Sequence, residues 1–173
     1  DPASIFYVTA DDVIIEGTGT LQGPGLFSHD VITNIQYIPS LIKIDGATNV
    51  TVQNLNFVNS PQAAIIFIDA DQTKITGNTF TGGDTVANCV AAINYYAVFG
   101  YNSSYVKLTG NRIVDDASGN TFAEGFFLYK VSNSTVSDNY CKNIVDHDVY
   151  MYHSSGDLLG QNNYNTISNN VSY

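Results

Sequence analysis

Short apolar runs alternate with clusters of Asn, Gly, Asp and Ser along the whole chain. Val, Ile, Thr, Tyr and Phe dominate the runs, and no apolar stripe recurs at helical spacing, so the pattern predicts short strands joined by turns. Five segments share one apolar-polar-turn-apolar unit: Val52–Phe57, Ile75–Phe80, Leu108–Ile113, Val136–Cys141 and Ile167–Ser172. Their fourth position reads Leu55, Asn78, Asn111, Asn139, Asn170, at spacings of 23, 33, 28 and 31. A second apolar run precedes the unit at a constant distance. Ile42, Ile65, Val98 and Phe126 stand 13 residues before Leu55, Asn78, Asn111 and Asn139. Two strands and the turn between them are therefore fixed, and the variable length falls in one other connection.

This repeat predicts an all-β fold, a right-handed parallel β-helix of about five to six coils. Successive coils stack about 4.8 Å apart. Ile42/Ile44, Ile65/Phe67 and Phe126/Leu128 then point inward. Asn at one turn position in coil after coil forms a side-chain ladder and tolerates a left-handed backbone. An antiparallel sandwich gives no reason for an offset held four times.

The length suits one domain, residues 1–173. No amphipathic capping helix is visible at either end, so the expectation is a piece of a longer chain or an assembly with further copies. Net charge is −10, and one arginine with five lysines gives no basic face for nucleic acid. No apolar window is long enough for a membrane span, and no signal peptide is visible. Four glycosylation sequons (Asn49, Asn102, Asn133, Asn170) and low lysine content suit an extracellular or cell-surface glycoprotein. Cys89 and Cys141 show no metal spacing and read as two small buried hydrophobes, with a disulfide as the alternative in an oxidising compartment.

From Asp11 onward the chain resembles the pectin-lyase-like superfamily. The stretch Asp12–Gly25, with Glu16-Gly17-Thr18-Gly19 inside it, is similar to the opening coil of polygalacturonase-type glycoside hydrolases. The likeness continues through Ile42–Leu55 and Asn59-Ser60-Pro61, while Ser132–Asn139 and Asn165–Asn170 look like generic β-helix repeats. The resemblance implies a polysaccharide-degrading hydrolase. Of a polygalacturonase's motifs, Asp115-Asp116 is present, whereas the Asn-Thr-Asp, Gly-His-Gly and Arg-Ile-Lys segments are absent. Asp146-His147-Asp148 partly echoes the Asp-Pro-His-Asp/Glu element of C5-epimerase-type β-helices, without the proline.

The candidate chemistry lies in the variable connections, 81–92, 114–125 and 142–149. Asp115, Asp116, Glu124, Asp146 and Asp148 are candidate acid, base or nucleophile, with His147 or His153 as proton shuttle. Asp84 belongs to the same acidic set. If Phe126 and Tyr150 are equivalent, Glu124 stacks on Asp148, and one carboxyl is driven upward in pKa by the other. The competing reading is a set of solvated, turn-forming aspartates. Tyr96, Tyr129, Tyr150 and Tyr152 are candidate sugar-stacking residues beside these loops, with Tyr95, Tyr101 and Tyr105 in the same strand position. Asp45, Asp69 and Asp71 read as turn residues, and Lys43, Lys74, Lys107 and Lys130 as exposed.

The expected function is carbohydrate-active and extracellular: a glycoside hydrolase with paired carboxylates, needing no cofactor. A non-catalytic β-helical adhesin, spike or filament segment that binds glycan is the rival. A calcium-dependent polysaccharide lyase or epimerase is a further alternative, because an acidic protein needs calcium to neutralise an acidic substrate. Polysaccharide or glycan is the expected partner, alongside homo-oligomerisation.

Overall fold

The computed structural model describes residues 4–23, 38–83, 95–152 and 164–173. Every element in them is a strand. The first coil holds β1 (Ser4–Val8), β2 (Ile14–Glu16) and β3 (Thr20–Gln22), and the second β4 (Ser40–Asp45), β5 (Thr51–Gln53) and β6 (Asn56–Val58). The third holds β7 (Ala63–Ile68), β8 (Lys74–Thr76) and β9 (Thr79–Thr81), and the fourth β10 (Tyr96–Ser104), β11 (Lys107–Thr109) and β12 (Arg112–Val114). Then come β13 (Glu124–Ser132), β14 (Thr135–Ser137) and β15 (Tyr140–Cys141), and last β16 (His147–Tyr152), β17 (Thr166–Ser168) and β18 (Val171–Ser172). Every third strand pairs in parallel, giving three six-stranded sheets that begin with β1, β2 and β3. The described residues form a parallel β-helix of six coils.

The 13-residue offset is matched in the register of the first sheet. Ile42, Ile65, Val98, Phe126 and Val149 are successive partners, as are Ile44, Phe67, Gly100, Leu128 and Met151. Both rows feed the interior with Val52, Ile75, Leu108 and Val136 from the second sheet and Phe57, Phe80 and Ile113 from the third. The rings of Phe57 and Phe80 stack at 4.9 Å. Gly100 leaves room for the Phe67 ring, into which a Cβ at that position would run. Gly100→Ala is expected to cost about 1–3 kcal/mol through overpacking. Urea unfolding measures it, and an unchanged midpoint would show that the ring moves aside freely.

The asparagine ladder is present and buried. Asn78, Asn111 and Asn139 are each 1% exposed. Each Oδ1 accepts from the backbone N–H one coil earlier: Asn78 from Leu55 (3.0 Å), Asn111 from Asn78 (3.1 Å), Asn139 from Asn111 (2.9 Å) and Asn170 from Asn139 (3.0 Å). Each Nδ2 donates to a strand carbonyl, those of Val52, Ile75, Leu108 and Val136. One expectation is corrected: the left-handed residue is the neighbour before the ladder position, namely Asn54, Gly77, Gly110, Asp138 and Asn169. The ladder asparagine keeps its backbone regular so that its amide reaches along the stack. Asn170 uses that amide in the ladder, which argues against its sequon being a glycan site.

The first sheet departs from simple alternation where its strands begin. Leu41 and Ile42, Ala64 and Ile65, and Ala97 and Val98 are adjacent pairs that both reach the interior. Ala63, Ile66, Ile68, Tyr96 and Phe99 instead form a second buried cluster on the outward face, with Tyr101 and Phe127 packed against it. The connection of variable length runs from the third sheet to the first, except in the last coil, where the insertion falls between β16 and β17. Lys43 corrects another expectation, being 2% exposed on this outward face, 3.7 Å from Asp45 and over the Tyr7 ring. An apolar floor that covers its methylene stem explains how a lysine is accommodated there.

Candidate functional site

The first sheet's outward face meets the connections from the third sheet at the start of β13 and β16. Backbone bonds fix this corner. Ala123 and Glu124 donate to the Tyr95 carbonyl at 2.9 and 3.1 Å, Val145 to Phe122 at 3.1 Å, and Asp146 to Ala123 at 2.9 Å. The register places His147 beside Glu124, and Val149 beside Phe126. The expected stacking of Glu124 on Asp148 is therefore corrected. Phe126 pairs with Val149 rather than Tyr150, and a one-residue slip sends every side chain to the other face. Asp148 instead falls level with Gly125, in the inward row of Leu41, Ala64 and Ala97. Burial, helped by the Asp148 charge, pushes the Cys141 thiol up to about 12. Cys141 is a buried free thiol, and Cys89 lies outside the described residues.

Glu124, Asp146 and His147 converge. One ligand atom from each lies within 4.8 Å of the others. His147 Nδ1 is 3.2 Å from Asp146 Oδ1 and 3.4 Å from Glu124 Oε2. Glu124 is 2% exposed, while the His147 and Asp146 side chains are 46% and 41% exposed. Glu124 Oε2 is buried and, among the described residues, accepts no hydrogen bond, His147 Nδ1 standing nearest to it. Burial pushes Glu124 up from 4.5 to about 7. The His147 ring opposes this and the Asp146 charge adds to it.

That shift has a consequence for stability. The folded state holds the Glu124 proton more tightly than the unfolded chain, so its contribution is complete below about pH 4.5 and is lost as pH rises through about 7. Glu124→Gln, which is always neutral, removes this dependence. In chelator, the thermal midpoint of the unmodified protein is expected to fall further between about pH 5 and about pH 8 than that of the variant. Equal slopes would place the Glu124 proton in an ordinary environment.

The other acids stand apart. Asp116 accepts from the backbone N–H of Ser118 and Asn120 and from the Asn120 side chain, so it forms its own turn. Asp115 accepts from Asn143 Nδ2 at 3.0 Å and faces Lys142 at 4.0 Å. Neither belongs to the Glu124 group. Asp69 takes a left-handed turn, and Asp71 accepts from Ser104. Arg112, the chain's one arginine, stacks on Tyr140 on the third sheet, outside the site. Asp84 and His153 lie outside the described residues.

The tyrosines form rows. Tyr101, Tyr129 and Tyr152 are in register, with ring centroids 5.3 and 5.2 Å apart. Beside them run Phe99, Phe127 and Tyr150, with centroids 5.3 and 5.2 Å apart. Tyr150 also stacks on His147 at 4.7 Å. Tyr96 packs on Phe99 and Phe127 and is buried, so it belongs to the floor rather than the exposed rows. Exposure increases toward the last coil: Ile66 is fully buried, Phe127 half-buried, and Tyr152 43% exposed. Phe99 and Phe127 were not among the sequence candidates. Their signal was an apolar run without polar alternation, which marks a strand buried on both faces.

Residues 33–173 match the family described as right handed beta helix region, and the chain belongs to that family. The match and the three parallel sheets support the pectin-lyase-like superfamily. No curated protein and no solved structure matches the chain. No helix among the described residues is long and apolar enough to cross a membrane.

Proposed function

We propose that this β-helix acts on polysaccharide outside the cell, as a glycoside hydrolase working on the outward face of the first sheet over β13 and β16. One observation carries the reading: a buried carboxyl, a second carboxylate and an imidazole meet at the edge of in-register aromatic rows. Tyrosine rings on a flat face stack on sugar rings and bond them through the phenol. Glu124 holds the transferable proton. His147, 3.4 Å from Glu124 and open to the face, takes the proton at Nδ1 once its ring turns to align with Oε2, and gives the one on Nε2 to the glycosidic oxygen as the bond to the anomeric carbon breaks. Asp146, exposed beside them, stabilises or attacks that carbon.

A reducing-end assay across neutral and acidic polysaccharides tests this, with ultraviolet absorbance to detect unsaturated lyase products. New reducing ends without absorbance are expected. Tyr129→Ala or Tyr152→Ala is expected to raise KM about 3–10-fold with little change in kcat. The Tyr101–Tyr129–Tyr152 row extends beyond the trio, and it favours a second reading as a non-catalytic glycan-binding surface. Saturable glycan binding with no product would select that reading.

A further inference from the structure

We propose that Glu124, Asp146 and His147 form a binding site for one divalent transition-metal ion, of the zinc or manganese kind. Ligand atoms held tetrahedrally at about 2.0–2.2 Å from an ion stand about 3.3–3.6 Å apart. His147 Nδ1 already lies 3.4 Å from Glu124 Oε2 and 3.2 Å from Asp146 Oδ1. Two edges of such a site are thus set before any ion arrives.

The independent observation is Glu124 Oε2. It is buried, lies against the imidazole, and has no hydrogen-bond partner among the described residues. A buried polar atom left unpaired costs about 1–3 kcal/mol. An ion on that oxygen removes the cost and offsets the two carboxylate charges. Tyr150 stacked on His147 holds the ring plane, and the backbone bond from Asp146 to Ala123 holds the second carboxylate. The donor set decides the metal. One imidazole and two carboxylates suit zinc or manganese, whereas calcium takes six to eight oxygens and finds few here. The exposed side of His147 and Asp146 leaves the remaining coordination positions open toward the aromatic rows.

The site shares its residues with the hydrolase reading and rests on that reading only for one consequence. An ion on Oε2 occupies the place of the transferable proton, so the loaded protein would not hydrolyse. Titration calorimetry on chelator-treated full chain, with zinc, manganese and calcium chlorides, is the test. One zinc ion per chain is expected, with Kd below about 100 µM and calcium at least about 10-fold weaker. Glu124→Gln, Asp146→Asn and His147→Ala should each weaken zinc at least about 10-fold. The last two residues are exposed, so their variants retain the fold. A Kd above about 100 µM, or one shared by all three variants, overturns the site. A parallel reducing-end assay separates the two ideas. Zinc uptake with no hydrolysis in either state supports the metal site and sinks the hydrolase reading alone. Full hydrolysis by the zinc-loaded chain overturns the shared use of Oε2.

Discussion

Glu124→Gln is expected to lower kcat on the glycan substrate by about 10²–10⁴-fold. Glutamine keeps the side chain's size and removes its proton. In the buried position Oε2 has no hydrogen-bond partner among the described residues to lose, so the fold should be retained. The loss should therefore appear in kcat, while KM, set by Tyr129 and Tyr152, stays within a few-fold. Asp146→Asn should be impaired on the same scale, since hydrolysis at an anomeric carbon uses two carboxyls in different roles. Asp116→Asn serves as the contrast. It weakens a turn rather than the chemistry, because all three side-chain bonds of Asp116 lie within residues 116–120. A fall of less than about 10-fold in Glu124→Gln would remove this residue as proton donor.

The largest effect on stability is expected at Asn111. Its Oδ1 accepts from the Asn78 backbone N–H and from Asn78 Nδ2, and its own Nδ2 donates to Ile75 O and Asn139 Oδ1. Asn111→Ala leaves the buried Asn78 N–H without its partner and takes one bond from the Ile75 carbonyl, which keeps its place in the β8–β11 ladder. At about 1–3 kcal/mol for the orphaned N–H and about 1 kcal/mol for the lost carbonyl bond, plus a small cavity, the cost is about 2–4 kcal/mol. Asn170 sits at the end of the ladder in the last coil and is only half-buried, so Asn170→Ala should cost less, about 1–2 kcal/mol. Urea denaturation of the two variants side by side measures the difference. Equal losses would mean that the ladder contributes coil by coil without regard to burial.

Coil architecture was legible because its signal is periodic. The offset from Ile42 to Leu55 recurs unchanged through Phe126 and Asn139, and the register follows it. The pairing inside the site was not legible. Tyr150 and Tyr152 differ by a step of two, and nothing in the letters shows that Val149 is the residue that continues the inward row. The doubled inward residues at the start of each first-sheet strand compound this, since alternation counted back from Phe126 sends Glu124 inward. Glu124, Asp146 and His147 were named among the candidates, yet their grouping depends on the short 142–146 connection laid over Phe122 and Ala123. Asp116 was hidden for a different reason. A turn-forming aspartate and a reactive one are spelled identically, and only the N–H groups of Ser118 and Asn120 tell them apart.

The aromatic rows advance by one ring for each coil, and the coil is also the unit in which such chains gain or lose sequence. Duplicating a single coil would therefore extend the aromatic platform by one further station, about 4.8 Å, while leaving the chemistry at β13 and β16 untouched. On the proposed reading, reach along a glycan and reactivity toward it are separately adjustable in this architecture. If the proposed hydrolase reading holds, lineages built on this architecture could change the length of polymer they grip without reinventing how they cut.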